Sequence, residues 1–249
     1  MSPGCGTFTS HGRWCAHRAD PAVVVPERGG LMRDLLPAAV SVAVAEGADW
    51  VGELLPAERA GLGERAVESR RRDFTAGRVC ARRAMTALGL PATPVPAAPN
   101  RAPVWPTGLI GTITHTRGYC AAAVARRTDL RAVGMDAERH RELEPGVRRM
   151  ILRPEEADRL DRLPAGVSWP VVVFSAKETV YKVWHPVVGS WLDFLDATVE
   201  LDPDTGVFTA RIDPARVAAA TVADPPSVVT GRFVIEDDLV RTAAVLPLR

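Results

Sequence analysis

Two short clusters carry residue types at spacings that suit chemistry. Asp136 and Glu138 stand two apart in Arg-Ala-Val-Gly-Met-Asp-Ala-Glu. On a strand both carboxylates project from one face, while Met135 and Ala137 point to the other. Two acids held side by side repel, and the repulsion is relieved by a shared proton or by a hard divalent cation such as Mg²⁺ with a partly open oxygen shell. A solvated strand end with two unrelated acids fits the same letters. The second cluster is Phe174-Ser175-Ala176-Lys177-Glu178-Thr179-Val180-Tyr181-Lys182. On a helix Glu178 and Lys182 share a face, as do Lys177 and Tyr181. One reading is a surface ion pair worth about 0.2–0.5 kcal/mol. The other follows from Val171, Val172, Val173, Phe174, Val180, Val183 and Trp184, which make the helix apolar around much of its circumference, so that its charged stripe lines a cleft.

Two further features are compatible with an anionic ligand. Gly111-Thr112-Ile113-Thr114-His115-Thr116 is a β-prone run ending in a histidine among hydroxyls, suited either to a structural role or to ligand binding. Arg70, Arg71, Arg72, Arg78, Arg82 and Arg83 form a basic run. On one helix Arg71, Arg78 and Arg82 fall within about 60° of one another, giving either a solvated face or guanidinium forks for phosphate oxygens.

The elements that must position these groups alternate between types. Residues 40–45 have the period-two pattern of a half-buried strand. Residues 56–88 are rich in Arg, Glu, Ala and Leu and are stopped by Gly89 and Pro91, which predicts one or two helices. A proline-rich surface connection covers 91–106. Neighbouring strands are expected over 111–116, 119–125 and 131–138. Pro154-Glu155-Glu156 has the form of a helix start, and a second helix is expected over 169–184. Short strands over 199–201, 207–212, 228–235 and 240–246 close the sequence, separated by Asp-Pro and Asp-Asp turns. This order predicts an α+β fold of two similar halves, 32–130 and 131–249, preceded by a flexible extension over 1–31, with Met32 an alternative start.

Composition narrows the class. With 47% apolar and 24% charged residues, the chain has the balance of a folded globular protein. A net charge of +1 gives no bulk electrostatic case for a nucleic-acid binder, so any anion site must be local. Cys5, Cys15, Cys80 and Cys120 form no C-x-x-C pair, which favours reduced thiols over structural zinc. No apolar run reaches the length of a membrane span, and residues 1–31 lack a signal-peptide layout, so a cytoplasmic protein is expected.

In combination and order, these segments resemble the 4′-phosphopantetheinyl transferases. Gly134-Met135-Asp136-Ala137-Glu138, followed about 40 residues later by Phe174 to Lys182, is similar to the family's paired signature. Thr112 to His115 resembles its earlier Ser-rich motif ending in His, with threonines where serine is common. Arg70 to Arg83 resembles the arginine helix of the enterobactin- and surfactin-pathway subgroup, and the likeness covers residues 70–195. The resemblance implies a pseudo-dimer of two α/β halves in one chain, expected to be monomeric. It implies Mg²⁺ held by Asp136, Glu138 and Glu178 on the coenzyme A diphosphate, with a water where Ala137 offers no carboxylate. Lys177 and Lys182 then neutralise the diphosphate, while Arg70, Arg78, Thr114 and His115 bind the coenzyme. Where the family often has a lysine reaching the coenzyme, this chain has residues 97–101, with Arg101 the candidate replacement. The implied reaction moves phosphopantetheine onto a serine of acyl or peptidyl carrier proteins, with Glu178 as candidate base, directly or through water. A non-catalytic relative that only binds carriers or nucleotides is the alternative; it predicts a lost metal ligand, whereas all three are present.

Overall fold

Strand alternation decides which face each sheet offers to which partner. The computed structural model describes residues 32–47, 52–63 and 65–248; the expected extension over 1–31 lies outside them, as do Cys5 and Cys15. Strands β1 (Ser41–Glu46), β2 (Leu109–Thr116) and β3 (Tyr119–Arg126) form an antiparallel sheet in the order β1-β3-β2. Strands β4 (Leu130–Arg139), β5 (Ala197–Asp202), β6 (Val207–Ile212), β7 (Val228–Glu236) and β8 (Leu239–Pro247) form a second, ordered β4-β8-β7-β6-β5. On β3 the even residues Cys120, Ala122 and Val124 pack under a long helix, while Tyr119, Ala121, Ala123 and Ala125 enter a core shared with the second sheet. β4 does the converse: Val133, Met135 and Ala137 enter the shared core, which turns Gly134, Asp136 and Glu138 to the opposite side.

Each half is anchored in the same manner. Helix α1 (Pro56–Arg59) precedes α2 (Glu68–Ala87), and α3 (Pro145–Ile151) and α4 (Pro154–Leu160) precede α5 (Trp169–Val188). α2 covers the first sheet and α5 the second. Both long helices have 20 residues and end in a left-handed glycine, Gly89 and Gly189, a conformation that costs glycine no Cβ clash. Both are preceded by Leu-x-Pro-x-Glu, with Glu58 and Glu156 each returning a carboxylate oxygen to the backbone N–H three residues earlier. Glu58 then accepts from Val95 N–H and pairs with Arg82; Glu156 accepts from Val199 N–H and pairs with Lys177. Two similar halves are therefore visible in the anchoring, although the sheets differ in size.

The structure departs from the sequence expectations at short elements. α3, the 3-10 turn Phe194–Asp196 and α6 (Pro214–Ala218) have no counterpart among them. α6 is too brief for an apolar period and exists because Pro214 opens it and the Asp213 carboxylate caps Ala215 N–H. α5 runs beyond the expected 184, because Pro186 sits where the helix is already ending at Gly189.

Candidate active site

Asp136 is fixed by three side chains from two elements. Its Oδ1 accepts from Thr114 Oγ1 of β2 at 3.0 Å and from Lys182 Nζ of α5 at 2.8 Å; its Oδ2 accepts from Ser175 Oγ at 2.9 Å. Thr114 Oγ1 also accepts from Ala137 N–H at 3.1 Å, stitching the two halves together beside the acid. Ser175 belongs to a buried hydroxyl network with Thr179 and Thr242, the latter being the cross-strand partner of Asp136. The sequence offered no role for Ser175 or Thr242, since hydroxyls gain meaning here only through pairing of β4 with β8.

Gly134 sets the distance between β4 and α5. A Cβ there would run into Thr179 O and stand 2.8 Å from Val183 Cγ2, closer than packed atoms tolerate. Gly134→Ala is therefore expected to cost about 2 kcal/mol and to reduce transfer, read by thermal unfolding and by assay. Unchanged stability would show that the close approach is not needed.

Glu138 and Glu178 complete the acidic group, and among the described residues no hydrogen bond or ion pair reaches either carboxylate. Burial, first, and then Asp136 and Glu178 push the Glu138 carboxyl up to about 7, against the opposing pull of Lys182 and Arg141. Burial likewise raises Glu178, opposed by Lys182 and reinforced by Asp136. Folded protein without a cation therefore binds more protons than the unfolded chain between pH 4.5, the ordinary carboxyl value, and about 7. The contribution of these two carboxyls to metal-free stability is expected to be full below 4.5 and to fall by about 1–2 kcal/mol as pH rises through 7, with added Mg²⁺ reversing the loss. Thermal scans with and without Mg²⁺ across this range check it, and a flat profile would count against the acidic cluster.

Lys182 opens onto a cleft of about 740 Å³, large enough for a sizeable ligand. Asn100, Arg101, Trp105 and Thr112 line it from one half; Tyr181 and Trp191 line it from the other. Arg101 is also shared with a neighbouring basic pocket that contains Arg65 and Arg70. Arg101 is left-handed (φ 68°) in a turn closed by its N–H to Ala98 O, and the paired Ala97 and Pro103 flank that turn.

The remaining expected residues divide into two groups. His115 Nδ1 lies 3.6 Å from Asp73 Oδ2; burial lowers its pKa, against the pull of Asp73 and with that of Arg70. Arg78 lies over the Phe74 ring, 4.0 Å from its centre, and donates Nε–H to Val95 O. Its buried Nη2 has no partner among the described residues, and burial lowers its pKa to about 10, so a bound anion would complete it. Two residues stand apart from a ligand role. Thr114 is 3% exposed and its hydroxyl is spent on Asp136 and Ala137, whereas Thr112 on the same strand lines the cleft with an unpartnered hydroxyl. The Lys177 ammonium is not brought to the Asp136 group, because three acceptors hold it at the buried junction of α3, α4 and α5. Arg82 likewise leaves the proposed basic face to pair with Glu58.

Comparison with known proteins bears on all of this. Residues 57–125 match the model of the 4′-phosphopantetheinyl transferase N-terminal domain, and 132–231 match that of the 4′-phosphopantetheinyl transferase superfamily. 4′-Phosphopantetheinyl transferase PptT of Mycobacterium tuberculosis is 40% identical over 227 residues, covering 88% of this chain and 99% of that protein. 4′-Phosphopantetheinyl transferase Svp of Streptomyces mobaraensis is 44% identical over 167 residues, 66% of this chain and 68% of its own. Enterobactin synthase component D of Salmonella typhi is 32% identical over 128 residues, covering 48% of this chain and 50% of that protein.

Proposed function

As a member of the 4′-phosphopantetheinyl transferase superfamily, this chain transfers phosphopantetheine from coenzyme A to carrier proteins, and we propose that it does so with Mg²⁺ held by Asp136, Glu138 and Glu178. The observation that carries this reading is the acidic group around Lys182 at one end of a two-half cleft, with arginines at the other. The donor set fits a hard cation: burial and the nearby Asp136 raise the proton affinity of both Glu138 and Glu178, and neither of these two has a described donor to satisfy it. Among the described residues no three His, Cys, Asp or Glu side chains stand close enough together to hold a metal ion, so in this reading water and phosphate oxygens supply much of the shell. When bound, Mg²⁺ supplies charge neutralisation on the diphosphate.

The chain's own residues do the rest. Arg70, Arg78, Arg101 and His115 bind the phosphates at the basic end, Arg78 gaining a partner for its idle Nη2. Lys182 spans Asp136 and the cleft and neutralises the diphosphate. Glu178 accepts the proton of the carrier serine as its oxygen bonds to the pantetheine-bearing phosphorus. The bond from that phosphorus to the adenylate oxygen breaks, releasing adenosine 3′,5′-bisphosphate. Both halves, 32–130 and 131–249, contribute to one cleft, so a monomer is sufficient. The carriers in this reading are those of polyketide, nonribosomal-peptide or fatty-acid synthesis, met in the cytoplasm; among the described residues no helix is long and apolar enough to cross a membrane.

Incubation with coenzyme A, Mg²⁺ and a panel of apo carriers tests the proposal. Transfer is expected, with loss on chelation and recovery on adding Mg²⁺. Arg78→Ala is expected to raise the coenzyme A KM about tenfold or more. Full activity in chelator would remove the metal from the reading.

A further inference from the structure

Lys177 follows a different logic from its neighbours on the signature helix. Its Nζ donates to Ile151 O at 2.7 Å, Glu156 Oε2 at 2.7 Å and Phe194 O at 2.8 Å, and the residue is 3% exposed. An ammonium has three donors, so none remains for a ligand. Glu156 is equally committed, taking Arg153 N–H at 2.8 Å and Val199 N–H at 2.7 Å. Swinging Lys177 towards a phosphate would break three bonds and strand a buried carboxylate.

The first half explains how this came about. Phe74-Thr75-Ala76-Gly77 on α2 parallels Phe174-Ser175-Ala176-Lys177 on α5, which sets Gly77 opposite Lys177 and Arg82 opposite Lys182. In the first half the anchoring Glu58 is neutralised by Arg82. In the second half Lys177 neutralises Glu156, and Lys182 is released to Asp136. Only two lysines occur in the whole sequence, Lys177 and Lys182, against an otherwise all-arginine complement of 31 basic residues. A compact ammonium fits between three converging acceptors where a planar guanidinium does not.

We infer that Lys177 is a positioning residue that never touches coenzyme: it ties α5 to α3, α4 and the Phe194–Asp196 turn, and so fixes where Glu178 and Lys182 stand. The inference rests on the proposed function for its catalytic consequence, but not for its geometry.

Amine acylation of the wild-type protein, mapped by mass spectrometry, tests the geometry directly because the side-chain targets are only two. Lys182 is expected to be modified and to be protected by coenzyme A with Mg²⁺; Lys177 is expected to stay unmodified with or without coenzyme until the protein unfolds. Labelling of Lys177 in the folded protein that coenzyme A suppresses would overturn the inference, whatever the transfer activity. Variants test the consequence. Lys177→Met and Glu156→Gln are each expected to lower Tm by more than about 5 °C and kcat by about tenfold, with the coenzyme A KM within about threefold of wild type. The double variant is expected to be no worse than the poorer single one. A tenfold rise in KM for Lys177→Met with unchanged Tm, absent from Glu156→Gln, would instead make Lys177 a phosphate ligand.

Discussion

Glu178→Gln is expected to lower transfer by about 10³-fold while leaving the thermal midpoint unchanged or slightly raised. The two parts of this outcome have different origins. Activity falls because glutamine takes no proton from the carrier serine and brings no negative charge to the cation. Stability does not fall because the Glu178 carboxylate has no described hydrogen bond to lose, and its burial and the nearby Asp136 already oppose its charge. Substituting a neutral group of the same shape removes that cost. Fluorescent coenzyme A transfer and a thermal scan on one preparation read both parts. Activity within tenfold of wild type would take Glu178 out of the mechanism, and a large drop in Tm would show that it has a structural partner.

Asp136→Ala should behave in the opposite manner, with transfer below detection and stability reduced by about 3–5 kcal/mol. Asp136 is only 4% exposed and receives Thr114, Ser175 and Lys182, so its removal takes an acceptor from three donors, one of them an ammonium left with Met135 O alone. In a chain of this size the loss corresponds to a Tm fall of about 6–20 °C. Adding Lys182→Met should recover part of it, because the unpaired ammonium is then gone. A stable but inactive Asp136→Ala protein would mean that the acid is held for metal alone.

Much of this site was legible before any coordinates. The period of two on β4 turned Asp136 and Glu138 to one side, and the 3.6 period of α5 put Glu178 and Lys182 on one face. Both inferences need only local geometry. The rest of the site depends on distant partners. The destination of Lys177 is set by Glu156 and by the carbonyls of Ile151 and Phe194, none of which a helical wheel contains. The coenzyme role for Thr114 comes from the resemblance to a Ser-rich motif ending in His, yet strand alternation sets Thr114 on the opposite face from His115. The basic run misled in part for the same reason: Arg82 answers a carboxylate 24 residues earlier, and only its burial in the fold makes that answer compulsory.

The Thr114–Asp136 hydrogen bond joins the two halves at the acid proposed to hold the metal. Turnover is therefore expected to gauge whether the seam is shut, failing before either half unfolds when a change parts the sheets. Because only residues 127–129 link β3 to β4, the seam re-forms as an intramolecular event at high effective concentration.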